Sequence, residues 1–336
     1  LPATIRIAVI GLGRLGRVYA GYLAHRVPAA QLVAVADHNA VVAERTAREL
    51  DVPRWSASYQ DLLADKSIDA IAVLTPTATH RQVVLDAAAA GKAIFCEKPI
   101  AMSVEEAEDL LRATRQAGVL FQPAFQRRFD AGYIAAKKQI ADGVIGTPVV
   151  VLSTSRDPYR PSLEFCDPRV SGGLIADMGI HDFDLCRWFL GDVARVSAIG
   201  GTLAYPEMKA TGDIDNAVVQ LTHRSGALAS VHLSRNAVFG YDIRTEVWGT
   251  EGSLQIGYHQ QTPILVMTRQ GITHDVVPYF MERFENAYLA QIQNFVDAVQ
   301  TGAEPQVTAH DAVEAIRVAM AATRSREEGL PVDLPL

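Results

Sequence analysis

Residues 9–18 read VIGLGRLGRV, with glycines at 11, 13 and 16 in GxGxxG spacing. The motif is weak alone. Here it lies between an apolar strand-like run, Ile5–Ile10, and a stretch of helical periodicity, Leu15–His25. A strand that passes into a helix through these glycines leaves few architectures open. Gly11 permits the tight turn, Gly13 lets a phosphate approach the backbone at the helix N-terminus, and Gly16 lets helix and strand pack closely.

The alternation continues through residue 125. Leu32–Ala36, Ala70–Leu74, Ala93–Cys96 and Val119–Gln122 read as further strands, and Ala40–Leu50, His80–Ala90 and Val104–Ala117 as helices. Ser103 and Glu106 form a capping box, while Gly91 and Gly118 stand where helices end. Strands apolar on both faces and separated by helices predict a parallel sheet covered on both sides, an α/β Rossmann dinucleotide-binding domain over residues 1–125. Asp37 closes the second strand, where an acidic side chain binds the adenine ribose hydroxyls and repels a 2′-phosphate. No Lys or Arg follows it, which favours NAD over NADP. Cofactor contacts are expected from Gly11, Gly13, Arg14, Leu15, Gly16 and Asp37. Thr75, Pro76, Thr77 and His80 after one strand end, and Glu97 and Lys98 after the next, complete the set.

Residues 126–336 have another rhythm. A helix near Ala131–Asp142 precedes a strand, Val149–Ser155, and a helix over 174–190. Strand-like runs follow at Val193–Ile199, Ala217–Thr222, Ala227–Ser234, Thr245–Trp248, Leu254–Ile256 and Ile264–Met267, joined by short turns such as HRSGA and GTEGS. Helices near Arg283–Thr301 and Asp311–Glu327 close the chain. The pattern predicts an α+β substrate-binding domain with a largely antiparallel open sheet. Its helices suffice for one face, so self-association is expected through the other. A chain of 336 residues exceeds one typical core, in agreement with two domains.

A net charge of −7 argues against a nucleic-acid surface and against a polybasic membrane patch. No apolar run approaches the length of a membrane span. Cys96, Cys166 and Cys186, without CxxC spacing, fit a reducing cytoplasm and supply no cysteine zinc site. The chain enters its first strand at once with no signal-peptide layout, and its opening on Leu1 suggests a trimmed initiator or tag.

DMGIHDFD, residues 177–184, puts three aspartates and a histidine into a helix otherwise apolar at Leu174, Met178, Leu185 and Trp188. Burying such groups is costly without partners. Asp177 and His181 lie one helical turn apart, and Asp182 and Asp184 project elsewhere, as scaffold paired with Arg187 or other bases. Two ligands do not make a metal site, so none is expected. A lysine at a strand end, as in CEKP (96–99), can stabilise developing alkoxide charge beside a nicotinamide.

Together the glycine turn, EKP, AFQRRFDAGY (124–133), TSRDP (154–158), GGLIADMGIHDFDLCRWF (172–189), FGYDIRTEVWGTEG (239–252) and ERFENAY (282–288) resemble the glucose–fructose oxidoreductase/inositol dehydrogenase (Gfo/Idh/MocA) family, over essentially the whole chain. The set is most similar to its inositol 2-dehydrogenase branch. The resemblance implies NAD-dependent oxidation of a cyclic polyol, first of all myo-inositol, to its ketone in inositol catabolism, by a cytoplasmic homotetramer. It makes Lys98, Asp177 and His181 the catalytic set. His181 would act as base, Asp177 would hold a hydroxyl or tune the imidazole, and Lys98 would stabilise the oxygen that becomes the ketone. It adds Gln126, Arg127, Ser155, Asp157 and Tyr241 as substrate contacts. Ser155 stands where some inositol dehydrogenases carry histidine, and Gln126 is not the most familiar occupant of its position. Both departures bear on the preferred isomer, so scyllo-inositol, chiro-inositol and an aldose such as glucose stay open. Relatives of this fold also include NAD-dependent glycosidases, which release no net NADH, and non-catalytic sensors. Net NADH formation from a free polyol excludes both.

Overall fold

The computed structural model describes residues 4–335, which form two compact units. One runs to Phe129 and takes in Asn286–Glu314; the other comprises Asp130–Glu285 and the chain from Ala315 onward.

The first unit carries β1 (Ile5–Ile10), α1 (Arg14–His25), β2 (Ala30–Ala36), α2 (Ala40–Glu49), β3 (Trp55–Ser56), α3 (Tyr59–Ala64), β4 (Ala70–Val73), α4 (Thr77–Ala89), β5 (Ala93–Glu97), α5 (Val104–Ala117) and β6 (Phe121–Ala124). Its six strands are parallel in the order β3-β2-β1-β4-β5-β6. All four residues of β4 are buried, as a strand covered on both faces requires. Half of the expected capping box forms, the Glu106 carboxylate accepting from the Met102 N–H at 3.0 Å in place of the Ser103 N–H. Ser103 Oγ accepts from the Glu106 N–H at 3.2 Å, and the helix ends on Gly118 in the left-handed region. The chain leaves β1 for β2 on one side and reaches β4 on the other. The carboxyl ends of β1 and β4 therefore mark the point where the winding reverses, the usual place for a ligand in such sheets.

The second unit contains α6 (Ala131–Ala141), β7 (Pro148–Arg156), α7 (Pro168–Ser171), α8 (Gly173–Asp177), α9 (Gly179–Leu190), β8 (Val193–Gly201), β9 (Asn216–His223), β10 (Leu228–Ser234), β11 (Asp242–Gly249) and β12 (Ser253–Ile256). The sheet order is β12-β11-β7-β10-β9-β8, with Val332–Asp333 added at the β8 edge. Pairing is antiparallel except between β7 and β10. The strand expected at Ile264–Met267 lies instead at Val266–Thr268 and pairs with Gly271–Thr273 in a separate ribbon. On one face of the sheet, Ser153 donates to Asp182 Oδ1 at 2.7 Å and binds α9 to β7. On the other, Leu152, Leu228, Trp248 and Ile199 are exposed. The helix expected over 174–190 is two helices that meet at Met178. At this junction a Cβ on Gly179 would lie 2.9 Å from Leu233 on β10, so the backbone here is drawn tightly onto the sheet.

Two helices follow, α10 (Phe280–Thr301) and α11 (Ala309–Glu328). All of 126–336 was expected in one domain, whereas Asn286–Glu314 groups with the first unit. Side chains of α10 explain the difference. Tyr288 packs on Tyr19 and Phe295 on Phe95, with ring centroids 6.0 and 5.7 Å apart, and the Gln291 carbonyl accepts from Gln122 Nε2 at 3.1 Å. Arg128, at the end of this unit's first stretch, meets Asp311 at 3.0 Å, both groups largely shielded from water.

Candidate active site

In the first unit each glycine of the turn has a distinct reason to be there. Gly11 sits at φ +91°, and a Cβ on it would stand 2.6 Å from the Leu74 carbonyl carbon. A Cβ at Gly16 would lie 1.9 Å from the Gly11 carbonyl oxygen. Gly13 differs: nothing in the protein lies within 4 Å of its Cβ position. Packing does not demand glycine at 13, but close approach of a phosphate to the N-terminus of α1 does. Arg14 and Leu15 open that helix, which has no side-chain cap on its N-cap residue.

The Asp37 carboxylate accepts from the Leu12 N–H at 2.8 Å and the Asn39 N–H at 2.9 Å. It is thereby fixed to the glycine turn, with lone pairs remaining for hydroxyl donors. Thr75, Pro76 and Thr77 follow β4, and Pro76 is the N-cap of α4. His80, expected among the cofactor contacts, is held between two loops. It is buried, with Nδ1 2.8 Å from the Pro99 carbonyl and Nε2 2.7 Å from the Thr75 carbonyl. Burial lowers its pKa below the ordinary value against the pull of both carbonyls. Thr75 and Pro99 follow β4 and β5, so the ring ties two ligand-facing loops together.

Glu97 is buried, and Lys98 beside it is half-buried. Glu97 Oε1 accepts from the Tyr19 hydroxyl at 3.1 Å, and Oε2 accepts from the Lys98 N–H at 3.0 Å. Burial and the adjacent Glu97 charge raise the Tyr19 pKa well above its usual value, which keeps it a donor. Gln291 Nε2 donates to the same phenol. The EKP loop is thus anchored by its glutamate. Gln126 and Arg127 lie buried in the short 3₁₀ turn Gln126–Phe129, also in this unit. The glycine turn, the open space at Gly13 and the fixed Asp37 fit a dinucleotide with a free ribose.

In the second unit Asp177 ends α8 and His181 lies in the first turn of α9, buried. Asp177 Oδ2 lies 3.4 Å from Nη2 of Arg235, a residue sequence reasoning did not single out. Ser155 is closed to solvent on β7. Asp157, just beyond that strand, donates its N–H to the Ser234 carbonyl at 2.9 Å and accepts from the Ala237 N–H at 2.9 Å, which holds its backbone to the end of β10. Tyr241 is buried, with its ring edge-on to Tyr279 and Phe284. Asp182 accepts the Ser153 hydroxyl, and Arg187 meets Asp192 at 2.7 Å. Among the described residues no group of three or more His, Cys, Asp or Glu side chains could hold a metal ion. Among the same residues no helix is long and apolar enough to cross a membrane.

Residues 5–125 match a model described as the oxidoreductase family, NAD-binding Rossmann fold, and residues 137–334 match the C-terminal alpha/beta domain of the same family. The chain is 41% identical to the scyllo-inositol 2-dehydrogenase (NAD(+)) of Bacillus subtilis, over 98% of this chain and 96% of that one. It is 36% identical to the myo-inositol 2-dehydrogenase of Thermotoga maritima, over 98% of each. The crystal structure of scyllo-inositol dehydrogenase from Lactobacillus casei with bound NAD(H) and scyllo-inositol superposes with a TM-score of 0.93 at 32% identity, covering 98% of this chain and 99% of that one. A parallel sheet with an NAD-type glycine turn, a mostly antiparallel second sheet and relatives matched from end to end agree: this chain belongs to the Gfo/Idh/MocA family of NAD-dependent oxidoreductases.

Proposed function

We propose that the protein oxidises a ring CH–OH of an inositol, with myo-inositol as the first substrate, to the corresponding inosose. The observation that carries this reading is the Asp177–His181 pair at the α8–α9 junction, in a chain whose full-length relatives include enzymes named as inositol dehydrogenases. NAD supplies the hydride acceptor at C4 of its nicotinamide. Gly11, Gly13, Arg14, Leu15 and Gly16 would hold the pyrophosphate, Asp37 the ribose hydroxyls, and Thr75, Pro76 and Thr77 the loop beside them. Neutral His181 takes the proton of the reacting hydroxyl through a ring nitrogen. Lys98 donates to the same oxygen as it becomes a carbonyl, and Asp177 accepts from a substrate hydroxyl. Gln126, Arg127, Ser155, Asp157 and Tyr241 complete the polar contacts that a polyol requires.

Scyllo-inositol is the second reading, favoured by the 41% identity to an enzyme named for that isomer. A homotetramer in the cytoplasm is part of the proposal. The exposed Leu152, Leu228, Trp248 and Ile199 on one sheet face support self-association. The test is a panel of inositol isomers and aldoses with NAD and NADP, following reduced cofactor. Net NADH from myo-inositol, lowered at least about a hundredfold in His181→Ala with NAD affinity kept, is expected. Full activity in His181→Ala, or no turnover of any inositol, refutes the reading.

A further inference from the structure

Arg235 directly follows β10 and is the largest side chain, among the described residues, that is wholly closed to solvent, at 0% exposure. A buried guanidinium is costly unless paired. Its Nη2 lies 3.4 Å from Asp177 Oδ2 and 3.8 Å from Asp213 Oδ2. Its own backbone is pinned by an N–H···O bond of 2.9 Å to the Asp215 carbonyl. Asp213 in turn accepts the Leu174 N–H at 3.0 Å, and its Oδ1 stands 2.8 Å from where a Cβ on Gly173 would be. Asp213 therefore grips the start of α8, and Arg235 grips its last residue.

We propose that Arg235 is a positioning residue for the polyol reaction: one guanidinium, shared between Asp213 and Asp177, fixes the Asp177 carboxylate in the orientation that holds a substrate hydroxyl. The role assigned to Asp177 rests on the function proposed above; the clamp itself rests on the geometry. Being closed to solvent, Arg235 acts through Asp177 and not by touching substrate. A lysine would keep the charge but lack the planar fork that spans two carboxylates.

The test is a mutant cycle. Arg235→Met combined with Asp213→Asn removes one cation and one anion together, so neither charge is left buried alone. The double variant should fold, bind NAD as the wild type does, and lose kcat/KM for the polyol by roughly a hundredfold, the loss typical of a displaced contact. Added to Asp177→Asn, the same pair should cost little more, because residues that act through one another are not additive. Should the double variant fail to fold, Arg235→Lys is read in the same cycle, with a smaller loss that again disappears beside Asp177→Asn. An equal loss in the Asp177→Asn background overturns the proposal, as does undiminished kcat/KM in a folded variant. If the wild type oxidises no polyol, the functional reading fails, and crystal structures decide the clamp alone. An Asp177 carboxylate turned to another rotamer in the folded variant supports it, and an unmoved one overturns it.

Discussion

Gly13→Ala separates what the fold needs from what the cofactor needs. The added methyl meets nothing within 4 Å, and the backbone at φ −64°, ψ −163° suits any residue. Alanine is a poorer N-cap than glycine, by up to about 1 kcal/mol. A glycine replaced at a compatible position returns roughly 0.4–1 kcal/mol through the unfolded chain. The two oppose each other, so the melting temperature without cofactor should move by less than about 4 °C. Binding should suffer much more. The methyl stands where the pyrophosphate must reach the backbone, and one hydrogen bond to a charged group contributes about 1.5–3 kcal/mol. The dissociation constant for NAD should therefore rise about tenfold to a hundredfold or more. Gly16→Ala is the control. Its Cβ would meet the Gly11 carbonyl oxygen at 1.9 Å, a backbone atom with no room to yield, and it should destabilise the protein by about 1–3 kcal/mol or more before NAD is added. Calorimetric titration with NAD and thermal melts on the same samples give both quantities. A Gly13→Ala protein that binds NAD as tightly as the wild type would refute the reasoning, and so would one that melts as low as Gly16→Ala.

Asp311→Ala removes a carboxylate that meets Arg128 in a site largely shielded from water, and urea unfolding should show a loss of about 1.5–3 kcal/mol, the range of a hydrogen bond to a charged group. Burial holds His80 and His223 below the ordinary histidine pKa of 6.5. The unfolded chain then binds protons that the folded one refuses, so stability should fall as pH drops below about 6.5. His223→Gln, which can still donate to the Gly191 carbonyl, should flatten that slope in denaturation curves taken at about pH 5.5 and 7.5. Asp37→Ser removes the charge that opposes a 2′-phosphate. NAD affinity should weaken and the preference for NAD over NADP should narrow, read as the ratio of the two dissociation constants.

The parallel sheet was legible because β1, β2, β4, β5 and β6 are short apolar runs parted by periodic helices, and because the glycine turn lies at the first junction. β3 has two residues and α3 has six, too few to leave a period. The break at Met178 was hidden because the apolar stripe runs through it unchanged; only the closeness of Gly179 to Leu233, far away in sequence, discloses it. The same reason hid the parallel β7–β10 pair, whose strands are separated by two other strands in the chain. Asp177 and His181 stood out by local spacing. Arg235 and Asp213 did not, since no periodicity links an arginine after one strand to an aspartate 58 residues earlier. The position of His80 after β4 is visible in sequence, while the two carbonyls that enclose its ring are not.

The return of Asn286–Glu314 to the first unit has a consequence for the order in which the protein is made. On the ribosome the six-stranded sheet emerges first, yet Gln291, which donates to the Tyr19 phenol beside Glu97, and Phe295, which packs on Phe95, emerge only after residues 130–285. At about 5–20 residues per second that interval is on the order of ten seconds. Through it the nascent sheet carries a buried-type tyrosine and glutamate whose final neighbour does not yet exist. Gene fragments that stop before α10 should therefore hold the six-stranded sheet less stably than the full chain does, read as faster amide hydrogen exchange around Tyr19 and Phe95.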